Sequence, residues 1–233
     1  MPTGDGLTHF MRWLNSGGAE RSNYQGFLIE LCDLLGVSRP DPAVPDNTKN
    51  RYIFEHSITV THADGTTSTN FIDLYKHGSF VLETKQGIEA ATARSDVGSA
   101  SADALFPPPA KLKKGHGLRG SKSFDDALIR AKGQAEAYVR SIPDDNPPFV
   151  IVVDVGHSIE LYSDFSRLGK TYVPFLGAGR DPHSHRIYLK DLEDENIRAR
   201  LAKIWTDPLS LDPSRLSAKV TREIGRASCR ERV

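Results

Sequence analysis

The stretch FIDLYKHGSFVLETKQ, residues 71–86, contains two apolar runs separated by Lys76-His77-Gly78. Glycine in that position permits the backbone conformations that tight turns need. The runs on either side are rich in the aromatic and β-branched residues that favour strands. The stretch therefore predicts three features: the last part of a strand that covers residues 67–75, a turn, and an antiparallel strand at residues 79–85.

Three charged residues interrupt these runs: Asp73, Glu83 and Lys85, in the spacing D-x9-E-x-K. A loose match to this pattern occurs by chance about once in a chain of this size, so the pattern alone is weak. However, Glu83-Thr84-Lys85 is the only [DE]-x-K in the sequence. Alternation along a strand also puts Glu83 and Lys85 on one face, together with Val81.

A divalent cation would explain the two carboxylates, because burying a carboxylate without a partner is costly. Mg²⁺ prefers carboxylate oxygens and keeps several waters. Asp73, Glu83 and the Thr84 carbonyl are therefore the predicted metal ligands. Lys85 is predicted to orient or help deprotonate an attacking water, or to pair with a phosphate. The alternative explanation is a set of surface ion pairs, such as Glu83 with Lys85.

The surrounding segments predict an α-β-β-β-α-β order. Residues 23–36 and 124–141 have the apolar spacing of amphipathic helices, and residues 52–61 form a further strand-like run. Residues 148–155 are continuously apolar, which is typical of a strand covered on both faces. A short strand at residues 159–162 and a third helix at residues 189–205 follow. The predicted class is α/β with a mixed central sheet.

The segment from residue 87 to residue 122 is long and irregular, and it holds the one clear basic cluster. The candidate DNA-binding residues in it are Lys111, Lys113, Lys114, Arg119 and Lys122. Contact with phosphates, the electrostatic part of DNA binding, and simple solvation of a loop both fit this composition.

The composition, with 38% hydrophobic and 26% charged residues, predicts a packed core. Thirty basic residues balance thirty acidic ones, so the net charge neither supports nor excludes a nucleic-acid partner. The sequence has no membrane-length apolar run and no signal-peptide pattern. The sequence has only two cysteines, so we do not expect a disulfide framework. We expect a cytoplasmic location, because disulfides are rare there.

Four segments together resemble the amino-terminal PD-(D/E)xK nuclease domain of MmeI-like restriction–modification enzymes. They are NYQGFLIELCDLLGV, FIDLYKHGSFVLETKQ, RAKGQAEAYVRSIP and FVIVVDVGHSIELY, and the resemblance extends over about residues 8–222. It implies a restriction-endonuclease-like fold and Mg²⁺-dependent cleavage of double-stranded DNA. It also implies that the family's metal-binding carboxylates and lysine fall at Asp73, Glu83 and Lys85. The alternative within the same family is a nuclease-like scaffold or DNA-binding domain of a phage-defence methyltransferase.

Three further residues are candidate accessory groups: Glu30 and Gln134 on the predicted helices, and Gln86 directly after the lysine. The resemblance favours Glu30, because related nucleases often add a carboxylate from the first helix. Tyr138 is interpreted as a core residue and Asp154 as a turn residue.

The predicted organisation is a nuclease domain at residues 1–165, a linker and the start of a helical spacer at residues 166–222, and a non-native tail at residues 223–233. The last residues, EIGRASCRERV, look like a translated sequencing adapter. We therefore expect a longer parent chain. The resemblance implies that its remaining part, as a partner of this domain, carries an adenine-N6 methyltransferase that uses S-adenosylmethionine.

Overall fold

The computed structural model describes residues 4–16, 20–61, 64–87 and 118–215. The helices are α1 (Gly4–Phe10), α2 (Glu20–Leu35), α3 (Lys122–Val139) and α4 (Glu195–Thr206). The strands are β1 (Tyr52–Thr61), β2 (Thr67–Lys76), β3 (Phe80–Lys85), β4 (Phe149–Asp154), β5 (Ser158–Ser163), β6 (Val173–Pro174) and β7 (Arg186–Tyr188). None of the helices in these ranges combines the length and the apolar composition that a membrane crossing requires.

The strands form one mixed sheet in the order β1-β2-β3-β4-β5-β6, and β7 pairs with a different part of β5. Strands β1, β2 and β3 form an antiparallel meander, while β3 and β4 are parallel. The parallel pair requires a crossover, and α3 lies within it. The predicted α/β class, mixed sheet and α-β-β-β-α-β order are confirmed.

Helix boundaries depend on capping side chains. Helix α3 begins earlier than predicted because Ser121 caps it, accepting a hydrogen bond from the Phe124 amide. The helix predicted at residues 189–205 is instead divided into a 3₁₀ turn, Leu189–Glu193, and α4. Asp194 starts α4 by accepting a hydrogen bond from the Asn196 amide. Short 3₁₀ segments also occur at Met11–Asn15, Asn47–Lys49 and Pro208–Leu211.

Two apolar clusters cover the two faces of the sheet. On the first, called here the α2 face, Phe80 and Leu82 of β3 pack with α2 and α4. On the second, the α3 face, Val81 packs with α3. The alternation predicted for this strand is thus observed, and β3 and β4 lie between two layers of helix.

Residues after 165 belong to the same core. Strands β6 and β7 pair with β5, and α4 buries four residues against the α2 face: Ile197, Leu201, Ile204 and Trp205. The Trp205 indole Nε1 also donates to the Tyr52 hydroxyl at 2.9 Å. Among the described residues, packing thus continues across the proposed boundary at residue 165.

The β1–β2 ladder is interrupted beside the predicted site. Leu74 packs on the α2 face, but Ile72, two residues earlier, packs on the α3 face. Regular alternation would put both on one face. The intervening residue is Asp73, and Glu55 on β1, in the corresponding position of the register, has a φ of 51°. Left-handed non-glycine backbone is uncommon, and such irregularities concentrate near functional sites.

Candidate active site

The three predicted catalytic residues meet where the pairing of β2 and β3 ends. The last paired residues are Leu74 and Leu82, so Asp73 and Glu83 occupy the next opposing positions. Lys85 ends β3, and it lies in register with Asp154 of the parallel strand β4. The ends of β3 and β4, together with the interior of β2, therefore define the site.

Asp73 is tied to β3 through one oxygen. Its Oδ2 accepts hydrogen bonds from the Thr84 amide and from the Thr84 hydroxyl, each at 2.6 Å. Within the ranges described above, Oδ1 accepts no hydrogen bond. One oxygen thus fixes the carboxylate across the gap between the strands, and the other is available to a cation.

Glu83 is buried, with 1% of its surface exposed. Its Oε2 accepts a hydrogen bond from Gln134 Nε2 at 2.8 Å, and the same nitrogen is 2.8 Å from the Tyr138 hydroxyl. Gln134 itself is exposed, which puts the site at the boundary between core and solvent. The predicted accessory residue Gln134 therefore contacts the triad. Tyr138 is buried, in agreement with its interpretation as a core residue, and it is linked to Glu83 through Gln134.

Lys85 and Gln86 continue the site beyond Glu83. Lys85 Nζ donates to the Thr84 carbonyl at 2.7 Å, so an ammonium group lies on the oxygen predicted as a metal ligand. Gln86 is 1% exposed, and its Oε1 accepts a hydrogen bond from Asn23 of α2 at 3.4 Å. Gln86 Nε2 is buried and has no hydrogen-bond partner among the residues that the structure describes.

Two tyrosines indicate negative charge around the carboxylates. Burial and, second, the Glu83 charge raise the pKa of Tyr138. Burial and the hydrogen bond to Glu55 raise the pKa of Tyr24, with a smaller contribution from Asp73. Asn23, Tyr24 and Glu55 were not identified from the sequence. The only sequence signal for the first two is their position on the amphipathic helix, and Glu55 has none.

The donor set fits a magnesium ion. The described part of the chain has no group of three or more His, Cys, Asp and Glu side chains arranged around one point. What it has is two carboxylates and a backbone carbonyl, all hard oxygen donors. Mg²⁺ is commonly bound through one or two carboxylates, with waters and substrate phosphates completing its shell. The uncommitted Oδ1 of Asp73 agrees with that role.

Glu30 does not reach the site. Its Oε1 accepts a hydrogen bond from Arg12 at 2.6 Å, and its Oε2 accepts one from the Trp13 indole at 2.8 Å. These bonds attach the amino-terminal 3₁₀ segment to α2. The first-helix carboxylate that the resemblance favoured is therefore used in packing.

The basic cluster is only partly within the described residues. Lys111, Lys113 and Lys114 lie outside them, and Lys122 is exposed at the start of α3. The position of Arg119 does not agree with the predicted contact with DNA, because its side chain is only 6% exposed and forms an ion pair with Asp154. Its Nε is 2.8 Å from Asp154 Oδ2, so the guanidinium is directed into the protein.

Asp154 begins a turn, as predicted, because its carbonyl accepts a hydrogen bond from the His157 amide at 2.9 Å, and it is also a buried structural residue. Its carboxylate is 1% exposed and accepts hydrogen bonds from Arg119 and from the Gly87 amide. Gly87 lies two residues after the end of the triad strand, and Arg119 precedes α3. Asp154 thus fastens two distant parts of the chain next to Lys85.

The family assignment agrees with this arrangement. A family model described as the MmeI N-terminal domain matches residues 7–228. The chain belongs to this family. The predicted resemblance is confirmed, and membership of this family places the chain among proteins related to restriction–modification enzymes. The matched range includes residues 223–228, which were expected to be non-native. No curated protein and no solved structure matches the chain significantly.

Proposed function

We propose that this MmeI N-terminal domain is a Mg²⁺-dependent DNA endonuclease that forms the cutting part of a cytoplasmic restriction–modification enzyme. The observation that carries the proposal is the position of Asp73. Hydrogen bonds from Thr84 fix it beside the buried Glu83 and close to Lys85, where the pairing of β2 with β3 ends. The partner would be double-stranded DNA.

Asp73 Oδ1 and the Glu83 carboxylate would hold the metal, with the Thr84 carbonyl as a third donor once Lys85 has moved away from it. When bound, Mg²⁺ would supply an acidified water and stabilise charge on the phosphate. Lys85 would then orient or deprotonate the attacking water, or pair with a phosphate oxygen. Gln134 would keep Glu83 oriented, and Gln86 Nε2 would donate to the substrate or to water.

The other functions of the parent enzyme would lie elsewhere in the longer chain. We propose that the remaining part is an adenine-specific DNA methyltransferase using S-adenosylmethionine, and that it supplies recognition of the target sequence. The domain alone would then cut double-stranded DNA with little sequence specificity.

Two measurements test the cutting site. The first is cleavage of plasmid DNA with Mg²⁺ or with EDTA, and the second is Mg²⁺ binding by calorimetry. We expect Asp73→Asn to lose cleavage and to weaken Mg²⁺ binding, because a carboxylate donor is removed. Asp145→Asn is the matched control, since Asp145 is exposed and pairs with Arg167 at 3.1 Å, away from the triad.

The alternative function, a scaffold or DNA-binding domain that does not cut, predicts a different pattern. Such a domain has no need of metal, so wild type and Asp73→Asn would give the same calorimetric trace. Retention of full Mg²⁺-dependent cleavage by Asp73→Asn would also contradict the proposed ligand assignment.

A further inference from the structure

A cavity of about 540 Å³ lies beside β1, which is the edge strand of the sheet. His56, Ile58 and Tyr75 of the hairpin contribute to its lining, together with residues 47, 48, 50 and 51 and the segment 141–144 after α3. None of the triad residues lines it. Its volume is within the range of small-molecule sites in proteins.

Two buried polar atoms in the lining residues lack partners. His56 is 7% exposed and Tyr75 is 2% exposed. His56 Nδ1 and the Tyr75 hydroxyl have no hydrogen-bond partner within residues 4–16, 20–61, 64–87 and 118–215. Leaving such groups unsatisfied costs free energy, because a buried donor or acceptor loses its hydrogen bonds to water. A ligand with hydrogen-bonding groups would recover that free energy, and the two atoms belong to neighbouring rings whose centroids are 4.4 Å apart and whose planes are tilted by 32°.

The charges around the cavity are balanced. Arg51 contacts His77, and His77 Nε2 is 3.3 Å from the Asp144 carboxylate. Burial, and then the Arg51 charge, lower the pKa of His77, and burial lowers the pKa of His56. Both imidazoles are therefore neutral at neutral pH, and Arg51 and Asp144 leave one charge of each sign. A phosphate or carboxylate ligand would gain little here, whereas an uncharged polar ring fits.

We propose that this cavity binds a nucleobase, either as a free nucleoside or as a base displaced from DNA. The Tyr75 hydroxyl would donate to a ring nitrogen or carbonyl, and His56 Nδ1 would complete the pairing. Ile58 and Ile142 would supply the apolar contact that a base offers on its face. This inference does not depend on the metal site, because no triad residue takes part.

Saturation-transfer NMR on the whole chain, in EDTA, tests the proposal with adenosine, guanosine, cytidine and thymidine as probes. We expect the base protons of at least one nucleoside to receive more saturation than its ribose protons. Tyr75→Phe keeps the ring and removes the hydroxyl, so it should weaken binding roughly tenfold. Tyr188→Phe, a partly exposed tyrosine outside the cavity, should leave binding unchanged.

A second variant blocks the cavity. Thr69 lines it from an exposed position on β2, where phenylalanine is compatible with a strand, so Thr69→Phe should fold and abolish binding. Circular dichroism checks the fold. No saturation of any nucleoside, equal binding by Thr69→Phe, or displacement by inorganic phosphate would each overturn the proposal.

The two sources of the base are distinguished with duplex DNA that contains 2-aminopurine. A fluorescence increase that Thr69→Phe abolishes identifies a base displaced from DNA, whereas nucleoside binding without that increase identifies a free nucleoside. Both outcomes support the cavity assignment. Mg²⁺-dependent cleavage is measured separately, so failure of one proposal is distinguishable from failure of the other.

Discussion

The two oxygens of Asp73 have different tasks. Oδ2 is held by the Thr84 amide and hydroxyl, which fixes the carboxylate, while Oδ1 is the oxygen that we propose binds the cation. A carboxylate held in this way needs no reorganisation when a metal binds, and preorganised groups of this kind are effective in charge stabilisation.

Lys85 is expected to act in the chemical step. Lys85→Ala should reduce Mg²⁺-dependent cleavage by about 100-fold or more, the usual contribution of a positioned proton-transfer group. Mg²⁺ affinity should be maintained or increased, because a positive charge is removed from the Thr84 carbonyl. The readouts are plasmid cleavage and calorimetry, with Lys203→Ala on an exposed face of α4 as the control. Unchanged cleavage would remove Lys85 from the mechanism.

His56 gives the fold a pH dependence with a defined sign. Burial lowers its pKa in the folded state, so the unfolded chain binds more protons below the unfolded pKa of about 6.5. The contribution of His56 is complete above that pH and is lost as pH falls toward the folded pKa. Urea unfolding at about pH 7.5 and about pH 5.5 should show a larger loss for wild type than for His56→Phe. Equal losses would contradict the assignment.

The sequence predicts the triad but not all of its neighbours. The positions of Asp73, Glu83 and Lys85 on adjacent strands follow from strand alternation and the hairpin turn, because both are local properties, whereas their proposed roles come from the family resemblance. The pairing of Tyr24 with Glu55 depends on a positive φ at Glu55, and nothing in the local sequence requires a left-handed residue there.

At the scale of the elements, the end of β4 carries a buried ion pair. The Arg119–Asp154 ion pair is almost completely buried, and removing one member of such a pair leaves a charge without compensation. Arg119→Met should therefore destabilise the fold by about 3–5 kcal/mol in urea unfolding. The double variant Arg119→Met/Asp154→Leu should recover part of that loss, and an effect of Arg119→Met within experimental error would contradict this account.

Element boundaries were harder to predict than element types. Residues 189–205 contain strong helix formers and no proline or glycine, so the sequence indicates one helix. The division occurs at Asp194, whose side chain accepts a hydrogen bond from the Asn196 amide and begins a new helix there. A side chain that bonds to the backbone in this way does not alter the spacing of apolar residues, so the spacing does not reveal the break.

At the scale of the whole molecule, the fold is one packed unit from α1 to the 3₁₀ turn at Pro208–Leu211. The sequence indicated a boundary near residue 165, because the following segment is rich in Gly, Pro and His. Strands β6 and β7 have only two and three residues, too few to give an alternating pattern. Their pairing with β5 was therefore not predictable from periodicity.

A substitution at Trp205 tests whether the residues after 165 unfold together with the rest of the domain. It is 3% exposed, and its ring lies 4.6 Å from that of Phe80 on the triad strand. Trp205→Ala should cost about 3–5 kcal/mol and shift a single unfolding transition. Calorimetric scans are the measurement, and Leu176→Ala, at an exposed position, is the control. Two separate transitions would instead indicate an independent domain after residue 165.

The parallel pairing of β3 with β4 also has a consequence for timing during synthesis. Strand β3 leaves the ribosome long before β4 and before Asp154, which ties Gly87 next to Lys85. A nascent chain therefore carries all three triad residues without the strand that supports them, since non-local pairs form late. The cutting activity that we propose should therefore begin only after most of the domain has been made, which would delay cleavage of the DNA of the cell that synthesises it.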